Sequence, residues 1–155
     1  MKNSYIISFK EALKKENLKF TNQRYSVFKF LVNNDGHYDC DSIITFLNKS
    51  KVKVSKATAY RTLDLLVKYD FCRKMVLDDG IARYENKLDT DHHDHMICVD
   101  TGKIIEFVSP EIENIQDEIA KQKGYKIIKH VHQLFVKKIS WKLKFLILKI
   151  LLRVK

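Results

Sequence analysis

Three of the chain's six histidines, His92, His93 and His95, stand within four residues, with Asp94 among them. Imidazole and carboxylate together suit Zn²⁺, Fe²⁺ and similar first-row ions, and nothing in the cluster favours Mg²⁺ or Ca²⁺. The segment runs on into Met96-Ile97-Cys98-Val99, a Gly102-containing turn and a second apolar run, Ile104 to Phe107. This pattern predicts a β-hairpin with ligands at its entrance. A strand that begins near His92 puts His93 and His95 on one face and His92 and Asp94 on the other, because side chains alternate. One short segment can therefore serve two metal sites. The competing reading, a hydrophilic strand end with solvated histidines, leaves their local density unexplained.

A second set of chemistry-bearing residues lies upstream. Ser55 can cap a helix over Lys56 to Tyr69 that turns Ala59, Leu63, Leu66 and Val67 inward and leaves Lys56, Thr58, Tyr60, Arg61 and Lys68 outward. Tyr60 and Thr58 can reach base edges or a thymine methyl, while Arg61 and Lys56 can hold phosphates.

The elements that must carry these residues are legible in order. Ile6, Phe9 and Leu13 recur at helical spacing between Ser4 and Glu16. Thr21 caps a second helix with Val27, Phe28, Leu31 and Val32 inward, ended by Asn33-Asn34-Asp35-Gly36, and Asp39 caps a third with Ile43, Ile44 and Leu47. Cys72–Leu77 and Ile81–Glu85 flank Asp78-Asp79-Gly80, a strong hairpin signal. Three helices, the last basic, followed by a hairpin describe a winged helix-turn-helix, whose last helix enters the major groove. Beyond the ligand hairpin, Ser109-Pro110 starts a helix with the stripe Ile112, Ile115 and Ile119 and with Glu113 off it; Gly124 stops it. Tyr125 to Val136 alternates as a further strand. The predicted class is α+β: an N-terminal winged helix-turn-helix followed by a small α/β unit with an open sheet edge, which favours dimerisation.

Charge divides along the same line. Residues 1–75 carry 15 Lys/Arg against 7 Asp/Glu, residues 76–136 carry 7 against 12, and residues 137–155 carry 7 against none. A basic nucleic-acid-binding half thus joins an acidic, ligand-bearing half. The expected organisation is a DNA-binding domain over 1–85, a linker over 86–91, a dimerisation and metal-binding domain over 92–140, and an apolar basic tail over 141–155. That tail, interrupted by Lys142, Lys144, Lys149 and Arg153, falls short of the roughly 20 residues needed to cross a bilayer. Three irregularly spaced cysteines, Cys40, Cys72 and Cys98, and no cleavable apolar start imply a reduced, cytoplasmic setting.

Over roughly residues 10 to 136 the chain resembles the ferric uptake regulator (Fur) family of metal-dependent bacterial transcription factors. The matching pieces are Leu18-Lys19-Phe20-Thr21-Asn22-Gln23-Arg24, Lys56-Ala57-Thr58-Ala59-Tyr60-Arg61-Thr62-Leu63, Tyr84-Glu85, and His92 to Cys98 running into Gly102 to Phe107. The resemblance implies a homodimeric repressor that binds an A/T-rich palindromic operator in double-stranded DNA. It implies a regulatory metal site of His37, Glu85, His93, His95 and Glu106, and a minor-groove contact from Lys19. A second site would use His92, Asp94 and Glu113 with a histidine after the last strand. Lys137 stands at that last position, so the site is one ligand short, with His130 and His132 as the available substitutes.

Fe²⁺ is the expected metal, with Zn²⁺ or Mn²⁺ as alternatives, and zinc- and peroxide-sensing branches stand behind the iron-sensing one. Many members hold a structural zinc in two Cys-x-x-Cys pairs. Here Thr101 replaces the partner of Cys98 and no cysteine follows, so a four-thiolate zinc is not expected. The tail has no counterpart in the resemblance; bracing the dimer is the favoured role, a cationic membrane-surface helix the alternative. From other classes, a His/carboxylate metallohydrolase or a metal-buffering protein would share the ligands. The chain has no His-Glu-x-x-His helix and no nucleophile motif, and both rivals leave the basic winged helix without a purpose, so no enzyme is expected.

Overall fold

Helix α1 (Asn3–Lys15) turns Phe9, Ala12 and Leu13 into a core completed by α2 (Asn22–Asn33), α3 (Cys40–Lys49) and α4 (Lys56–Lys68). The structure is a computed structural model that describes residues 2–77 and 79–139. Phe9 stacks on Phe28 at 4.4 Å, and Phe71 closes on both rings edge-on. Thr21, Asp39 and Ser55 each accept a hydrogen bond from a backbone N–H of the first turn that follows, as their residue types predict. Helices α1, α3 and α4 all stop in one way. Asn17, Lys51 and Asp70 take positive φ, and the next N–H, from Leu18, Val52 or Phe71, donates back to Leu13, Leu47 or Leu66.

Strands β1 (Tyr38–Asp39), β2 (Cys72–Val76) and β3 (Ala82–Asn86) form an antiparallel sheet in the order β1-β3-β2. The wing hairpin of β2 and β3 is the expected one. A first compact unit extends to Asp91 and takes in residues 86–91, with Lys87 N–H bonded to the Phe71 carbonyl and Leu88 N–H to the Asn86 side chain.

The second unit begins at His92. Its strands are β4 (Asp94–Cys98), β5 (Ile104–Phe107) and β6 (Gln133–Val136), in the order β5-β4-β6, with β5 antiparallel and β6 parallel to β4. Helix α5 (Pro110–Gln122) has Ser109 as its cap and Pro110 in its first turn, as expected. Two expectations need correction. The ligand strand begins at Asp94, not His92. The strand read over Tyr125–Val136 shrinks to four residues, because β4 offers a partner only to residues 133–136; Tyr125, Ile128 and Val131 lie exposed outside any sheet. Together the units give the α+β class with an N-terminal winged helix. The tail from Trp141 lies outside the described residues.

Candidate metal centres and nucleic-acid interface

The β4–β5 ladder builds the first cluster. His95 lies directly opposite Glu106, so both side chains leave one face of the sheet, and His93, two residues earlier, joins them. The His93 and His95 rings sit 5.0 Å apart, edge to face, and a ligand atom from each of the three residues lies within 4.8 Å of the others.

The remaining two residues of the implied regulatory set belong to the first unit. Gly36, at φ 114°, turns the chain out of α2 into β1. Tyr38 pairs with Tyr84 and Asp39 with Arg83, so one further step of that ladder sets His37 opposite Glu85. The His37 Nε2 to Glu85 Oε2 distance is 2.8 Å, with both side chains nearly closed to solvent. On the other neighbouring strand, Arg73 pairs with Glu85 and its Nη1 donates to Oε1 at 3.2 Å.

A third cluster uses the opposite edge of the ligand segment. His92 Nε2 lies 3.7 Å from Asp94 Oδ1 and 3.1 Å from Glu113 Oε1, while His130 Nε2 lies 3.4 Å and 3.5 Å from the same two oxygens. Ligand atoms on a tetrahedral ion with bonds of about 2.1 Å stand about 3.4 Å apart. The four distances lie near that spacing, so these residues could hold one small cation. Asp94 is only 3% exposed, and the buried His130 Nε2 makes no hydrogen bond among the described residues. A buried carboxylate beside an imidazole nitrogen without a hydrogen bond is costly unless a cation satisfies both. His132 faces the other oxygen of Asp94 at 3.4 Å. Lys137 stands apart as an exposed residue beyond β6.

Helix α4 supplies the basic face. Lys56, Tyr60 and Arg61 are exposed and Thr58 is half-buried, while Ala59, Thr62 and Leu63 anchor the other side. Thr62 satisfies its buried hydroxyl on the Thr58 carbonyl at 2.7 Å. Lys56 is ion-paired with Asp41 of the preceding helix at 2.8 Å, so it is held rather than splayed. Lys19 is exposed just before α2, where its carbonyl accepts from Arg24 at 3.1 Å.

The sequence profile of the ferric uptake regulator family matches residues 15–135. This chain belongs to that family. The ferric uptake regulation protein of Campylobacter jejuni is 40% identical over 131 residues, 82% of each chain. Among solved structures, the Helicobacter pylori ferric uptake regulator, described as having three functional metal binding sites, superposes with a TM-score of 0.78 at 34% identity, covering 87% of this chain and 89% of that one. The Pseudomonas aeruginosa ferric uptake regulator with manganese gives 0.73 at 32%, covering 84% and 98%.

Cys40, Cys72 and Cys98 are all buried and unbridged. Burial pushes the Cys40 and Cys72 thiols up, to about 11 and about 12. Cys98 moves the other way, since the Thr101 side chain hydrogen-bonds to it. Two residues of interest escaped the sequence reading. Arg73 was one charged strand residue among several until the sheet register placed it. His130 was named only as a substitute, and it sits in an irregular segment before β6 where the alternation over Tyr125–Val136 had predicted a strand.

Proposed function

We propose that this Fur-family chain is a metal-activated transcriptional repressor that acts as a homodimer on an A/T-rich palindromic operator, with Fe²⁺ as its metal in the cell. Two observations support the proposal, one in each unit. The first presents a bonded His37–Glu85 pair, and the second presents His93, His95 and Glu106 converging on one face. A divalent ion bound by all five residues would fix one relative orientation of the two units. The α4 residues Lys56, Thr58, Tyr60 and Arg61, with Lys19, then read and hold the duplex. If that orientation spaces two recognition helices for a two-fold site, metal and operator each strengthen the binding of the other. No helix among the described residues is long and apolar enough to cross a membrane.

The His92, Asp94, Glu113 and His130 cluster is proposed as a second site. Two imidazoles and two carboxylates suit Zn²⁺ there, and a zinc-responsive regulator is the alternative to iron.

The test is fluorescence anisotropy of the metal-stripped protein on a palindromic and a scrambled duplex, titrated anaerobically with Fe²⁺, Mn²⁺ and Zn²⁺ at fixed salt. Metal-dependent tightening on the palindrome alone is expected. His93→Ala should remove the metal response and leave salt-sensitive residual binding, and Tyr60→Ala should spare metal affinity measured without DNA. Equal binding to both duplexes, with or without metal, leaves only counter-ion release and rejects the switch.

A further inference from the structure

Glu85 is the middle member of a row of three. In the order β1-β3-β2 it lies on the central strand, with the imidazole of His37 on one side and the guanidinium of Arg73 on the other. Its two oxygens are divided between them: Oε2 faces His37 Nε2 at 2.8 Å, and Oε1 accepts from Arg73 Nη1 at 3.2 Å. The Glu85 side chain is 5% exposed and that of Arg73 26%. The ion pair is therefore largely shielded from solvent, where screening is weak.

Resting on the assignment of Glu85 and His37 as metal ligands, we propose that Arg73 is an internal counter-cation that sets the affinity of the regulatory metal site, holding Glu85 charge-compensated when metal is absent and opposing the ion when it arrives. Guanidinium does not lose its proton at any physiological pH, so the positive charge is permanent. His37 and Glu85 would hold a divalent cation through Nε2 and Oε2, since Oε1 already accepts from Arg73 Nη1. The consequences run in one direction. Glu85 ligates through a single oxygen, and a fixed positive charge across the same carboxylate disfavours the divalent ion. Both raise the metal concentration at which the site fills. Arg73 is thus a positioning and tuning residue beside the ligands, not one of them.

The experiment measures Mn²⁺ and Zn²⁺ dissociation constants of the full-length chain without DNA, by competition with a chromophoric chelator. A His92→Ala, Glu113→Gln background silences the second cluster. Arg73→Met should tighten both metals by about tenfold or more, whereas Arg73→Lys, which keeps the charge, should stay within about threefold of the parent. Arg73→Gln keeps hydrogen-bond donors without charge, guards against a poorly folding Met variant, and should tighten as well. The rise in Tm produced by a fixed excess of metal should be larger in the Gln and Met variants than in the parent, since a ligand that binds the folded state more tightly stabilises it more. Unchanged or weaker binding in the neutral variants, alongside strongly weakened binding in Glu85→Gln, overturns the role of Arg73 and keeps the site. Parental affinity in both Glu85→Gln and His93→Ala overturns the site assignment and this inference with it.

Discussion

At the scale of single residues, spacing reveals which ligands share a face and fails where backbone regularity ends. The alternation of His92 to His95 separates two proposed ligand sets because a strand, or its immediate run-in, imposes a period of two whatever surrounds it. His95 and Glu106 meet because the hairpin register is local. His37 and Glu85 are 48 positions apart, and only a resemblance joined them before the β1–β3 ladder did so. His130 shows the limit most clearly. It reaches the oxygens of Asp94 and Glu113 from a stretch that is neither helix nor strand, so the alternation over Tyr125–Val136, which reads as a strand, does not give its direction. If His130 completes the second cluster, His130→Ala should lower the Zn²⁺ stoichiometry by one per chain under equilibrium dialysis, and Lys137→Ala should not. Unchanged zinc stoichiometry in the His130 variant would leave the site one ligand short, as the resemblance implies.

At the scale of elements, the N-terminal half was legible because its signals are local. Caps, apolar spacing and an Asp-Gly turn each specify a few bonds. The final strand was over-read, since alternation specifies a face but not a partner, and β4 is five residues long. The shared helix termini give a stability prediction. Lys51 holds φ 62° with a side chain that disfavours it. Lys51→Gly should therefore stabilise the protein by about 1 kcal/mol, reduced somewhat by the freer unfolded chain, in urea titrations at constant m. A second prediction concerns the tie between the ends of α1 and α4, where Lys68 and Tyr69 both donate to Glu16 Oε1, at 2.6 Å and 2.7 Å. The Lys68 ammonium first, and then the Tyr69 hydroxyl, hold the Glu16 carboxyl below its ordinary value of 4.5. A carboxyl lowered by folding contributes fully above its unfolded value, and that contribution fades as the pH falls through the folded one. Glu16→Gln should thus lower Tm at neutral pH, and the difference from wild type should shrink once the pH drops below 4.5. A gap that stays constant into acid would show that the carboxylate charge is irrelevant to the tie.

At the scale of the whole molecule, the question is what the second unit does with the apolar surface it does not bury itself. Helix α5 contributes no buried residue, and Ile115 and Ile119 on its stripe are each 55% exposed. Strands β5 and β6 are both sheet edges among the described residues. A second copy covering this stripe would remove both isoleucines from water, and each fully buried isoleucine is worth about 1.5–3 kcal/mol. The same stripe turned toward solvent in a monomer has no compensating contact. Ile115→Glu with Ile119→Glu should therefore raise the dimer dissociation constant by two orders of magnitude or more, in keeping with about 3 kcal/mol or more lost in total. Sedimentation velocity across a concentration series reads this directly. None of the residues proposed as ligands lies on that stripe, so the variant should bind metal with parental affinity while losing its preference for a palindrome over an isolated half-site. That combination follows only if dimerisation sets the spacing of two recognition helices and metal sets the orientation within each chain. A variant that stays dimeric would shift the interface to the exposed strand edges, and one that loses metal along with its partner would mean that the two sites form only in the assembled pair.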